Sequence, residues 1–175
     1  KGLGLSNLAG NYCVLFTFKV EPPNMSISKD INQRKFRNEH QKAMINLIYS
    51  YNWVMENTRK HLDQYDLTSQ QFNILRILRG AGEPLSTLQI RQRMLDKMSD
   101  TSRIVDRLVK KMLVQKVVCP ADRRLVDVTI TDKGQALLAE MDEKESEWDN
   151  LLKNLNTREA TQLNELLDKL RNSGS

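Results

Sequence analysis

The sequence predicts a mainly α fold with a small β-wing, and three observations carry that prediction. Between Pro84 and Gly134, two short amphipathic segments joined by a tight turn are followed by two β-branched runs around an Asp-Arg-Arg tip. On either side, residues 31–64 and 132–171 keep apolar side chains at three- and four-residue spacing. The 175 residues include only 7 glycines and are rich in leucine, a composition that favours helices.

Taken in order, residues 1–24 lack an initiating Met and end at Pro22-Pro23, just before Met25. Their apolar run, Cys13 to Phe18, has no small-residue cleavage site after it, so they read as an extension rather than a leader. From Ile31 to Gln64, Phe36, His40, Met44, Leu47, Ile48, Tyr51, Val54, Met55 and Leu62 predict one long helix. His40 has no ligand-spaced companion and reads as a packed or half-exposed side chain. Tyr49, Tyr51 and Trp53 crowd the middle of this helix, where core packing is the plain reading of aromatic residues.

Thr68 with Gln71 forms a capping box stapled by Leu67 and Phe72, which starts a helix carrying Phe72, Leu75 and Leu78 inward. Gly80 to Pro84 stops it. Ser86 with Gln89 forms a second box, stapled by Leu85 and Ile90, and its helix can run to about Leu95 before the turn residues Asp96, Lys97 and Ser99. The next helix, Ser99 to Met112, turns Thr101, Ile104, Val105, Leu108 and Met112 inward. Its opposite stripe holds Ser99, Ser102, Arg103, Asp106, Arg107 and Lys110. Val114 to Val118 and Leu125 to Ile130 then form a hairpin around Cys119 to Arg124.

Thr131 caps a further helix striped by Leu137, Leu138, Met141, Trp148, Leu151, Leu152 and Leu155. Asn156 with Glu159 caps the last helix, which carries Ala160, Leu163, Leu167 and Leu170. Residues 172–175 read as a flexible tail. The layout is a winged helix-turn-helix lobe over residues 67–131, flanked by N- and C-terminal dimerisation helices over 31–64 and 132–171, in a single domain over 25–171. An intramolecular three-helix bundle is the other reading of the leucine stripes.

Asp122-Arg123-Arg124, followed by Val128, Ile130, Thr131 and Gly134, resembles the wing signature of the MarR family of bacterial transcriptional regulators. Ser102-Arg103-Ile104-Val105-Asp106-Arg107-Leu108 resembles that family's recognition helix, and Leu67-Thr68, Phe72 and Leu75 resemble the opening of the helix ahead of it. One position departs from the pattern. Where the family usually has glycine after the recognition helix, this chain has Met112, and a left-handed conformation there costs a side-chain-bearing residue of order 1 kcal/mol. The turn is therefore either built differently or strained.

The resemblance implies a homodimeric, ligand-responsive repressor on a palindromic double-stranded DNA site. Ser99, Thr101, Ser102 and Arg103 would lie near base edges and phosphates, and Arg107 and Lys110 nearer the backbone. Thr101 also has the spacing of an inward residue. Arg123 and Arg124 would enter or clamp the adjacent minor groove, with Asp122 positioning the wing, while Gln89 and Arg91 on the preceding helix would meet the backbone. Members of the family are often released by small aromatic or lipophilic effectors, for which Tyr49, Tyr51, Trp53 and Phe72 are candidate pocket residues. Some relatives sense oxidants through a cysteine, so Cys119 reads either as strand packing or as a sensor.

Charge agrees with a polyanion partner. The net charge is +5. From Arg76 to Arg124 there are 12 Lys or Arg against 5 Asp or Glu, and from Asp132 onward 6 against 10, so the positive charge is concentrated on the proposed reading lobe. Cys13 and Cys119 make no disulfide framework, and with His40 and His61 they form no metal spacing, so neither metal nor cofactor is expected. The same scarcity leaves no nucleophile and base to assemble into an enzyme. No apolar run approaches the roughly 18 residues of a membrane span, and a cytoplasmic protein is expected. The competing class is a winged helix used only for protein contact.

Overall fold

The computed structural model describes residues 26–118, 126–144 and 150–172. The extension over 1–24, Cys119, Asp122, Arg123, Arg124, Trp148 and residues 173–175 lie outside the described residues. The chain divides into two compact units, residues 1–49 and 50–175.

In the first unit, α1 (Ile27–Asp30) is a single turn, and the backbone reverses at Asn32 in the left-handed region, φ 51°. The long helix α2 (Glu39–Asp63), whose residues from Ser50 onward belong to the second unit, starts at Glu39 instead of Ile31. The cause is a cap that periodicity alone does not weigh. Asn38 Oδ1 accepts from the Gln41 amide at 2.9 Å, while Gln41 Oε1 accepts from the Arg37 amide at 2.7 Å, so the exposed first-turn donors find their partners here.

The second unit is the lobe. Helix α3 (Ser69–Ala81) begins at the expected Thr68–Gln71 capping box and ends at Gly82, whose φ of +68° is the left-handed turn that glycine makes easily. Strand β1 (Leu85–Ser86) leads into α4 (Thr87–Arg93), which starts at the Ser86–Gln89 box. After a turn come α5 (Thr101–Lys110), β2 (Val114–Val118), β3 (Val126–Ile130) and α6 (Asp132–Asp142). A 3-10 turn at Asn150–Leu152 and α7 (Thr157–Arg171) follow.

The sheet is antiparallel with order β1-β3-β2. Sequence patterning finds the β2–β3 hairpin but misses β1, because two residues hold no alternation to detect. Leu85 is strand by virtue of its partner, Val128. Both are fully buried, together with Ile74, Leu75, Ile90, Val105, Leu108 and Leu138, and each such side chain contributes about 1.5–3 kcal/mol of hydrophobic stabilisation.

Helix α6 departs from the expected dimer stripe. Leu138 and Met141 are buried in the lobe core, so the first turns of this stripe close the lobe itself rather than facing a partner. Arg76 and Arg79 of α3 hold its last residue, Asp142, at 2.8 and 2.6 Å. The guanidinium of Arg79, hydrogen-bonded to that carboxylate, keeps Asp142 below the ordinary carboxylate range. By contrast, no residue of α7 is buried.

Candidate nucleic-acid interface

Helix α5 carries the site, and its start is set by Asp100. The Asp100 side chain accepts from the Arg103 amide at 3.2 Å, and its second oxygen lies 3.1 Å from Arg103 Nε. A carboxylate at a helix N-terminus is favoured by both the unpaired amides and the helix dipole. Ser102, Arg103, Asp106, Arg107 and Lys110 are all exposed on one stripe, while Val105 and Leu108 fill the core below it. That arrangement presents two guanidiniums, an ammonium and a hydroxyl on a rigid rod.

Two proposed contacts sit differently. Thr101 is only 4% exposed, with its hydroxyl oxygen enclosed and without a hydrogen-bond partner among the described residues, so its side chain belongs to the inner face and is not available to a phosphate. Its spacing, three residues before Ile104, agrees with this placement. Ser99 precedes the helix and is half-buried, and its hydroxyl donates to Asp96 at 2.6 Å. That bond, with one from the Met98 amide at 3.0 Å, holds the Asp96 carboxyl below its ordinary range. On α4, Arg91 is exposed, whereas Gln89 uses its carbonyl oxygen in the capping box with Ser86.

Asp106 is the one carboxylate on the outer stripe of α5, and the sequence offered no partner for it. Lys116 of β2 supplies one at 2.7 Å, and this bond depresses the Asp106 pKa. The pairing cancels a negative charge on the face that would meet DNA and ties the hairpin stalk to the helix.

A cleft of about 630 Å³ lies within the lobe unit, walled by Tyr51, Val54 and Met55 of α2, by Phe72, Asn73 and Arg76 of α3, and by Met94 to Lys97 in the turn after α4. Tyr51 and Phe72 are thus part of one cavity. Trp53 is not, since two residues along a helix rotate by about 200° and carry it to another face, where it is 44% exposed. Tyr49 is likewise exposed and outside the cleft wall. Tyr49, Tyr51 and Trp53 are therefore exposed rather than core residues, whereas Phe72 is partly buried against the core. Asn73 lines the same cleft, and its role has no counterpart in the sequence pattern. Its side chain accepts from the Leu95 amide at 2.9 Å, a bond across 22 residues that has no local signal.

A family model described as MarR family matches residues 65–125. Over 109 residues the chain is 31% identical to the HTH-type transcriptional regulator TcaR of Staphylococcus aureus, covering 61% of this chain and 71% of the relative. This chain belongs to the MarR family. It is also 28% identical over 131 residues to the HTH-type transcriptional regulator MhqR of Bacillus subtilis, covering 74% of this chain and 89% of that one. Among solved structures it is similar to Bordetella bronchiseptica BpsR, whose DNA binding is regulated by 6-hydroxynicotinic acid, with a TM-score of 0.69, 25% identity and coverage of 80% of this chain and 99% of that one. The MarR-family assignment makes the protein a DNA-binding transcriptional regulator and not an enzyme. No helix among the described residues is long and apolar enough to cross a membrane.

Proposed function

We propose that this MarR-family chain is a sequence-specific reader of double-stranded DNA. It acts as a cytoplasmic homodimer on a palindromic site and represses until a small aromatic or lipophilic effector occupies the cleft. The observation that carries the reading is the α5 stripe. Ser102, Arg103, Arg107 and Lys110 are exposed side by side on a helix whose other face is locked into the core, and the intervening Asp106 is neutralised by Lys116. Arg can fork onto guanine edges and Lys can meet phosphates, so the stripe supplies both specificity and electrostatic affinity. Arg123 and Arg124 extend the contact into the minor groove, with Asp122 positioning the wing and Arg91 reaching the backbone.

Dimerisation is supported by apolar side chains left in solvent. On α7, Leu163, Leu166 and Leu170 are 39%, 64% and 58% exposed, and Met44, Leu47 and Ile48 on α2 are similarly bare. Contiguous exposed leucines on amphipathic helices mark an interface. A two-fold pair sets the recognition helices about one DNA turn, roughly 34 Å, apart and requires a palindrome. The effector reading rests on the cleft, whose apolar wall of Tyr51, Val54, Met55 and Phe72 suits an aromatic ring. BpsR, a relative regulated by 6-hydroxynicotinic acid, supports the class.

The experiment is a titration of the duplex upstream of the protein's own coding region against salt, for the parent, Arg103→Ala and Arg107→Ala. Tight, steeply salt-dependent binding by the parent is expected, with Arg103→Ala losing about 1–3 kcal/mol of preference over scrambled DNA. Equal, weak binding of both duplexes by all three proteins would overturn the reading.

A further inference from the structure

Met98 is 92% exposed, the most exposed large apolar side chain among the described residues, and nothing in the fold accounts for it. The core position of this turn is filled by Met94, which is 1% exposed, and Leu95 is accounted for by the cleft wall. Met98 lies in the turn that enters α5, between Lys97 and Ser99, three residues ahead of the first helical position. Its backbone is hydrogen-bonded within the turn. The Asp96 carboxylate accepts from the Met98 amide at 3.0 Å and from the Ser99 hydroxyl at 2.6 Å, so the side chain projects from a braced turn rather than a slack loop.

We propose that Met98 reads the methyl group of a thymine, adding apolar base readout to the polar stripe of α5. The inference rests on the DNA-reading proposal above. The N-terminal end of a recognition helix is the part that approaches base edges in the major groove. The thymine 5-methyl is the apolar feature displayed there, and it is recognised by apolar contact. Methionine suits that role because its unbranched, polarizable side chain adapts to an irregular surface. Every other assigned contact on this face is a cation, a hydroxyl or an amide, none of which distinguishes a methyl from a hydrogen. The contact therefore gives a thymine preference at one position of each half-site, independent of the arginines.

The test separates the methyl from everything else in the base. A binding site is first selected from a randomised duplex pool with the parent protein, and each thymine of that site is then replaced singly by uracil, which removes only the methyl. For the parent, one symmetry-related pair of positions should lose about threefold to tenfold in affinity. Met98→Ala should bind the unmodified site more weakly by a similar factor and show no further loss on uracil replacement. Met98→Leu should keep most of the methyl effect. All three proteins should unfold at nearly the same temperature, since the side chain touches no core. A parent indifferent to every uracil, a site with no thymine in either half, or a Met98→Ala protein that retains the full uracil penalty would each overturn the inference. A pool from which the parent enriches nothing overturns instead the DNA-reading proposal beneath it.

Discussion

The Thr131 hydroxyl donates to the carbonyl oxygen of Met112 at 2.8 Å and accepts from the amide of Gly134 at 3.1 Å. One side chain thus caps α6 and grips the residue that ends the recognition helix. At that end the Leu113 amide reaches back to the Leu108 carbonyl at 3.0 Å and the Met112 amide to the Val109 carbonyl at 2.9 Å, a Schellman arrangement with Leu108 and Leu113 buried against it. Thr131→Val keeps the shape and removes both bonds. Thermal or denaturant unfolding should show a loss of about 1–2 kcal/mol.

Met112 closes this turn with φ 60°, so the departure from the family's glycine is a strained version of the same turn and not a different one. Its side chain is 64% exposed and contributes little burial. Met112→Gly should therefore stabilise the protein by about 1 kcal/mol, read as a raised denaturation midpoint.

Gly134 shows the opposite constraint. A Cβ there would lie 2.3 Å from the Leu113 carbonyl oxygen, a backbone atom that cannot swing aside. Gly134→Ala should cost about 2–3 kcal/mol by overpacking. Gly80, inside α3 with nothing within 4 Å of the added atom, provides the contrast, and Gly80→Ala should gain about 0.5–1 kcal/mol.

Thr101 carries a buried hydroxyl with no hydrogen-bond partner among the described residues. Thr101→Val replaces it with a methyl of similar size and removes the desolvation cost of about 1 kcal/mol, so stability should hold or rise. DNA affinity should stay within about twofold of the parent, as expected of a side chain facing the core. A loss comparable with that of Arg103→Ala would return Thr101 to the interface.

Asp142 links α3 to α6 through Arg79 and Arg76, with its folded pKa held below the ordinary 3.8. Because the folded value is the lower one, the ion pairs stabilise the protein above the unfolded pKa, and the contribution disappears as pH falls through the folded pKa. The carboxylate is 37% exposed and screened by solvent, so Asp142→Asn should cost roughly 1 kcal/mol or less at neutral pH. The variant should also lose part of the parent's decline in stability below about pH 4. Denaturant midpoints collected from pH 7 to pH 3 would show whether the two curves converge.

Local chemistry in the chain was enough to place most of the lobe. The capping boxes at Thr68–Gln71 and Ser86–Gln89, the stop at Gly82, the hairpin strands and the outer stripe of α5 all depend on residues within a few positions of one another, where hydrogen bonding and helical periodicity act directly. Tertiary structure alone decided the rest, because the deciding partners are distant in sequence. Val128 makes a strand of Leu85, Lys116 neutralises Asp106, Asn73 holds Leu95, and the core claims Leu138 and Met141. A leucine stripe states that a face will be buried. Whether its own lobe or a second copy does the burying is settled only when the chain folds and the nearest apolar surface takes it, as happened for α6 and not for α7.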